Sequence, residues 1–120
     1  MRLVIAFLIG ILACSSAWAY SSGEEAYFQR VADAIFRAEG GKAAKVPYGI
    51  LSVKVRDEAH ARQTCLEVIR WRWELHGAKR EGFVEYLSRS YCPLSDKRDT
   101  QGLNYHWVRN VSWFLDKNNA

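Results

Sequence analysis

The spacing of apolar residues constrains the fold of this chain more than any other feature of its sequence. Four stretches carry apolar side chains at helical intervals, which do not fit the two-residue alternation of a strand. These predicted helices span residues 23–38, 57–76, 81–90 and 104–117. A short β-branched run at 50–55 predicts an extended segment. The sequence therefore predicts a compact, mainly α-helical domain with at most a small extended or β segment.

Local signals set both ends of the first helix. Ser22, followed three residues later by Glu25, predicts a capping box at its start. Gly40 and Gly41 are predicted to end it, because glycine adopts the left-handed conformation at little steric cost. Glu39 is then the last helical residue.

Residues 1–19 predict a signal peptide. Arg2 forms a short basic region, residues 3–13 are an uncharged apolar run, and Ala-Trp-Ala at 17–19 places small residues where a signal peptidase reads them. The apolar run is about half the roughly 20 residues that cross a bilayer, so a retained anchor is the weaker interpretation. We expect cleavage before Tyr20 and a periplasmic or secreted protein.

Cys14 offers a second processing route. It follows an apolar run, as the acceptor cysteine of a lipoprotein does, and lipidation there would tether the protein to a membrane. Leu12 fits the position two residues before such a cysteine poorly. Both routes stay open, and membrane contact is expected only if Cys14 is lipidated.

About a hundred residues, 20–120, remain for one small domain. Their two cysteines, Cys65 and Cys92, predict a single disulfide in a compartment that permits oxidation. The whole chain carries a formal net charge of +4, which suits an anionic polymer. Nucleic acid would fit the charge equally well, but export argues against it. We expect a monomer.

Glu39 is the residue that the helical pattern of apolar residues indicates as a candidate catalytic group. At 100° per residue it lies about 20° from Phe28 and about 40° from Ile35, on the apolar stripe of its own helix. Burial among apolar side chains raises the pKa of a carboxyl group, as a general acid near neutral pH requires. The alternative is that Glu39, at a helix end, simply turns outward into water.

The sequence around Glu39 resembles the catalytic region of the lysozyme-like superfamily, and most closely the soluble lytic transglycosylases. The resemblance spans residues 28–114 and rests on four segments. These are Ala-Glu-Gly-Gly at 38–41, Pro-Tyr-Gly-Ile-Leu at 47–51, Tyr-Cys-Pro at 91–93 and Asn-Tyr-His-Trp-Val-Arg-Asn-Val at 104–111. In that family a glutamate at a helix end is followed by a glycine-containing loop and a glycine-hydrophobic segment that lines the cleft.

The resemblance implies a lysozyme-like fold and cleavage of the β-1,4 bond between N-acetylmuramic acid and N-acetylglucosamine in peptidoglycan. One glutamate, here Glu39, would protonate the leaving oxygen and then act as a base on the sugar's own 6-hydroxyl, which closes a 1,6-anhydro ring. Ordinary hydrolysis uses two carboxylates. The next acidic residues, Asp57 and Glu58, are typical of a helix N-terminus.

Two alternatives to the transglycosylase stay open. Folding could bring Asp57 toward the cleft, which would allow lysozyme-type hydrolysis. The chain could also be an exported module that binds peptidoglycan or a partner protein without cutting it, because a fold does not guarantee activity. One departure from the family pattern supports the binding module. The family usually has Met-Gln after the glycine-hydrophobic pair, where this chain has Leu51 and Ser52.

Six residues are candidate contacts to the substrate. Aromatic rings pack on the apolar faces of sugars, serine could replace the family's glutamine, and asparagine could hydrogen-bond an acetamido group. The candidates are Tyr48, Gly49, Ser52, Tyr91, Tyr105 and Asn110. Each tyrosine could instead pack at the edge of the core, and an exposed helical asparagine needs no function.

Other chemistries fit the sequence less well. Cys65 lies in the middle of a predicted helix, whereas a reactive thiolate needs a helix N-terminus or a cationic neighbour. The three histidines are scattered and no zinc-binding motif is present, so we expect no metal site. No cofactor is expected either.

Overall fold

A computed structural model describes residues 20–50, 54–91 and 106–117 of the chain. The predicted leader with Cys14 lies outside the described residues. The same holds for Ser52, Cys92, Tyr105 and the side chain of Tyr91. Within the described ranges the regular structure is helical and contains no strand. The predicted mainly α-helical class is confirmed to that extent.

Within the described ranges, four α-helices carry the fold. They are α1 (Ser22–Ala38), α2 (Glu58–Leu75), α3 (Phe83–Tyr91) and α4 (Trp107–Lys117). Two short 3-10 turns, Gly41–Ala43 and Pro47–Gly49, lie between α1 and α2. Helix α1 is central, because it packs against α2, α4 and both turns.

The start of α1 differs from the prediction by one residue. Its N-cap is Ser21, whose Oγ accepts a hydrogen bond from the backbone N–H of Glu24 at 3.0 Å. Glu24 Oε1 in turn accepts from the N–H of Ser21 at 3.1 Å. The predicted pair of Ser22 and Glu25 was wrong, because Glu25 pairs instead with Arg70 on α2. Two overlapping Ser-x-x-Glu patterns occur here, and tertiary contacts select between them.

The other helix ends follow from local chemistry. Asp57 caps α2 by accepting a hydrogen bond from the N–H of His60 at 2.8 Å, as its position predicts. Gly77, with φ of 86°, follows the last residues of α2. Helix α3 begins at Phe83, later than predicted, because Gly82 has a φ of 69° that an α-helix does not accommodate.

The core is an aromatic and aliphatic cluster between the helices. Trp73 of α2 lies with its ring centroid 5.3 Å from that of Phe28 and 5.2 Å from that of Phe83. Its indole N–H donates to Glu24 Oε2 at 2.7 Å, so this buried ring leaves no unsatisfied donor. The remaining fully buried large side chains are Ile35, Ile69, Leu87, Val31, Val111 and Cys65. This cluster fixes the ends of α1 and α4 against each other.

The predicted disulfide stays a prediction. Cys65 is fully buried in the middle of α2, and Cys92 lies outside the described residues. No helix in the described ranges combines the length and hydrophobicity that a bilayer span requires.

The capping assignment can be tested with two neighbouring serines. Ser21→Ala should lower the free energy of unfolding by about 0.5–2 kcal/mol, because it removes the side chain that caps α1. Ser22→Ala is the matched control and should change stability little, since Ser22 makes no such cap. Urea unfolding of both variants measures the difference. Equal losses would contradict the assignment.

Candidate active site

Glu39 lies where α1 stops. Its own N–H still donates to the carbonyl of Ile35 at 3.0 Å, and it forms the C-cap with φ of −88° and ψ of 6°. Gly40 follows with φ of 110°, a conformation that favours glycine and turns the chain away. The side chain of Glu39 is half-buried rather than directed into solvent. The apolar stripe of α1 thus ends in a carboxyl group, as predicted.

Gly49 makes room for that carboxyl group. A Cβ atom at this position would lie 2.6 Å from Glu39 Cδ and 2.7 and 2.8 Å from its two oxygens. The carboxyl group therefore occupies the space that a Cβ atom would need, and the flexible Glu39 side chain would have to move if one were added. Gly49 also has a φ of 65°, which other residues rarely adopt. The backbone conformation favours glycine here, and the missing side chain leaves room for the carboxyl group of Glu39.

Trp107 supplies a hydrogen bond to the same carboxyl group. It is the first residue of α4 and is buried, and its indole N–H donates to Glu39 Oε1 at 3.0 Å. The end of α1, the Pro47–Gly49 turn and the start of α4 therefore converge on one carboxyl group.

Two opposing influences act on the pKa of Glu39. Burial raises the pKa, because the charged form loses hydration, and this is the larger effect. The hydrogen bond from Trp107 lowers the pKa, because it stabilises the carboxylate. The net direction is upward from the ordinary value. Such a group can hold a proton nearer to neutral pH and still be stabilised once it has lost that proton.

Tyr48 has a structural part in the site. The structure corrects its predicted part as a sugar-stacking ring, because the residue is only 3% exposed and packs against Phe36 at 5.1 Å between ring centroids. Its backbone is left-handed, with φ of 60° and ψ of 8°. For a residue other than glycine this conformation costs about 1–2 kcal/mol, so burial and side-chain contacts must hold it.

Arg62 of α2 binds the hydroxyl of Tyr48. Its Nη1 donates to Tyr48 Oη at 3.0 Å and to Asp33 Oδ1 at 2.8 Å, and its Nη2 donates to Gln29 Oε1 at 2.6 Å. Gln29 and Asp33 lie one turn apart on α1, so this guanidinium group joins α1, α2 and the turn before Gly49.

The remaining predicted contacts are placed only in part. Asn110 is exposed on α4, one helical turn after Trp107, and is thus on the same side of that helix. Tyr91 is the last residue of α3. The described residues contain no group of three or more His, Cys, Asp or Glu side chains that could hold a metal ion.

Sequence reasoning missed the contributions of Trp107 and Arg62. The contact between Trp107 and Glu39 joins residues 68 positions apart, which no local pattern reveals. Arg62 reads as an ordinary polar position on an amphipathic helix. A buried tryptophan needs an acceptor for its indole N–H, and that requirement was the one available signal.

No protein-family model, curated protein or solved structure matches this chain.

The fit between Gly49 and Glu39 can be tested against a second glycine. Gly77→Ala should destabilise the fold by about 1–2 kcal/mol, because the residue is left-handed but has open space around it. Gly49→Ala should incur the same backbone cost and roughly 0.5–1.5 kcal/mol more, because its methyl group forces the Glu39 carboxyl group to move and weakens the hydrogen bond from Trp107. Chemical denaturation of the two variants measures the gap. Equal destabilisation would show that the carboxyl group does not fill the space beside Gly49.

Proposed function

We propose that this chain is an exported lytic transglycosylase that cleaves the β-1,4 bond between N-acetylmuramic acid and N-acetylglucosamine in peptidoglycan, with Glu39 as its single catalytic carboxyl group. One observation carries the proposal: the half-buried carboxyl group of Glu39 lies against Gly49 and accepts a hydrogen bond from Trp107. A carboxyl group desolvated on one side and hydrogen-bonded on another is suited to hold and return a proton.

Three acidic residues of the surrounding elements have structural tasks. Asp57 caps α2, Asp33 pairs with Arg62, and Glu25 pairs with Arg70. Hydrolysis with two carboxylates needs a second free carboxylate about 5–9.5 Å from the first. Asp57, the second carboxylate that the sequence offered, is engaged in capping α2. This favours a mechanism in which one glutamate serves twice.

The proposed reaction needs no water. Protonated Glu39 donates its proton to the glycosidic oxygen as the bond from C1 of N-acetylmuramic acid to that oxygen breaks. The carboxylate of Glu39 then accepts the proton of the C6 hydroxyl group while O6 forms a bond to C1. The products are a free 4-hydroxyl and a 1,6-anhydro end, and Glu39 is protonated again.

The surroundings of Glu39 match both halves of this cycle. Burial favours the neutral form that donates the first proton, and the Trp107 N–H stabilises the carboxylate that remains. Gly49 keeps one side of the carboxyl group packed against backbone, which restricts its rotation. Asn110, exposed one turn beyond Trp107, is the described residue that we propose as an acetamido contact.

We include the finer features of the fold in the proposal. A lysozyme-like arrangement and a disulfide between Cys65 and Cys92 fit a small exported enzyme. Cys65 is buried on α2, Cys92 directly follows the last residue of α3, and α2 and α3 are in contact. Ser52, Tyr91 and Tyr105 stay candidates for substrate contacts.

Glu39→Gln tests the proposal on purified sacculi. The wild-type protein should release muropeptides with 1,6-anhydro ends, and the variant should lose about 10²–10⁴-fold in rate, because glutamine accepts the Trp107 hydrogen bond but carries no transferable proton. Glu67→Gln is the matched control, an exposed glutamate of α2 that should keep full activity. Mass spectrometry of the soluble products measures both.

The products also separate the alternatives. A hydrolysed end is heavier than an anhydro end by one water, so hydrolysed ends that depend on Glu39 would replace the transglycosylase with a lysozyme-type hydrolase. Binding to sacculi without soluble products from the wild-type protein would overturn the enzyme and favour a binding module.

A further inference from the structure

Arg62 is held in place by more hydrogen bonds than a simple bridge between helices requires. Both terminal nitrogens of its guanidinium group are used, Nη2 on Gln29 and Nη1 on Asp33 and Tyr48. Two of the three acceptors lie on α1, and the third, Tyr48, lies in the Pro47–Gly49 turn. The guanidinium group thus holds that turn in a fixed position relative to α1 and α2.

The turn depends on Tyr48 being anchored at both ends of its side chain. The ring packs against Phe36 of α1, and the hydroxyl group accepts from Arg62. The backbone of Tyr48 is left-handed, so a loosened side chain would let the residue relax toward the right-handed or extended region. Gly49 follows Tyr48 directly and would move with it, away from the Glu39 carboxyl group.

We infer that Arg62 is a positioning residue of the candidate active site: through Tyr48 it holds Gly49 against the carboxyl group of Glu39. This inference rests on the proposed function for its catalytic consequence, but its structural consequence is measurable without any activity.

The charge of Arg62 does not reach Glu39 directly. Within the described part of the chain, burial and the Trp107 hydrogen bond are the influences that shift the pKa of Glu39. A change at Arg62 that alters this pKa is therefore expected to act through the packing around the carboxyl group, and the contact between Arg62 and Tyr48 makes the Pro47–Gly49 turn the direct route.

The chain supplies a matched control for Arg62. Arg70 also lies on α2 and pairs with a carboxylate of α1, with its Nη2 2.9 Å from Glu25 Oε2. The two arginine side chains are similarly exposed, at 31% and 32%. Arg70 lies eight residues further along the helix, about 12 Å along its axis, and makes no described contact with the turn. Replacing Arg70 should weaken the packing of α1 against α2 but leave the hydrogen bond between Arg62 and Tyr48 in place.

The test compares Arg62→Met, Tyr48→Phe and Arg70→Met in the full mature protein. Arg62→Met and Tyr48→Phe should each lower kcat on soluble peptidoglycan oligosaccharides by roughly 10–100-fold with little change in KM, because the acid is misplaced. Both should also lower the pKa of Glu39 toward the ordinary value, measured by ¹³C NMR, because water enters beside the carboxyl group. Arg70→Met should leave kcat and the pKa unchanged.

A second set of variants distinguishes a local effect on the site from a general loss of folding. Tyr48→Phe keeps the buried ring and removes only the hydroxyl group, and the double variant with Arg62→Met should be no worse than Arg62→Met alone. Equal effects of Arg62→Met and Arg70→Met on kcat and on the Glu39 pKa would overturn the inference. If the wild-type protein cleaves nothing, the proposed function fails, and the NMR arm alone still decides whether Arg62 positions Glu39.

Discussion

The close packing of the Glu39 carboxyl group against Gly49 is the contact on which the rest of the site depends. It requires α1 to end at Glu39, the following chain to return through a left-handed turn, and position 49 to lack a side chain. Trp107 donates a hydrogen bond to the same carboxyl group, which couples the start of α4 to it. A change in any of these elements alters the hydration of one carboxyl group and hence its pKa.

This arrangement has a cost in stability. Because burial raises the pKa of Glu39 in the folded state, folding favours its protonated form. The contribution of Glu39 to stability is therefore greatest below the pKa of the unfolded chain and is lost as the pH rises through the folded pKa. The aromatic core around Trp73 and the hydrogen bonds of Arg62 stabilise the fold and offset that loss. A residue whose burial lowers the stability of the fold, as that of a carboxylate does, is typical of functional sites.

The sequence was sufficient to predict the helices and the position of the Glu39 carboxyl group. It was insufficient to predict which side chains surround that group. Helical periodicity and the glycines after Glu39 are local signals, and the structure places the end of α1 and both ends of α2 within one residue of the prediction. The capping serine was misplaced by one residue, because the choice depends on Arg70 of α2 capturing Glu25. The contacts of Trp107 and Arg62 with the site join distant parts of the chain, and Tyr48 became a buried anchor for the same reason. Only packing determines such contacts.

Titration of Glu39 in the wild-type protein tests the central claim most directly. The side-chain carboxyl carbon can be followed by ¹³C NMR as a function of pH and assigned by its absence from the spectrum of Glu39→Gln. The account predicts a midpoint above 4.5, the ordinary value for glutamate, because burial outweighs the Trp107 hydrogen bond. A midpoint at or below 4.5 would contradict it, since the carboxyl group would then be a hydrated or over-stabilised anion with no capacity to donate a proton near neutral pH.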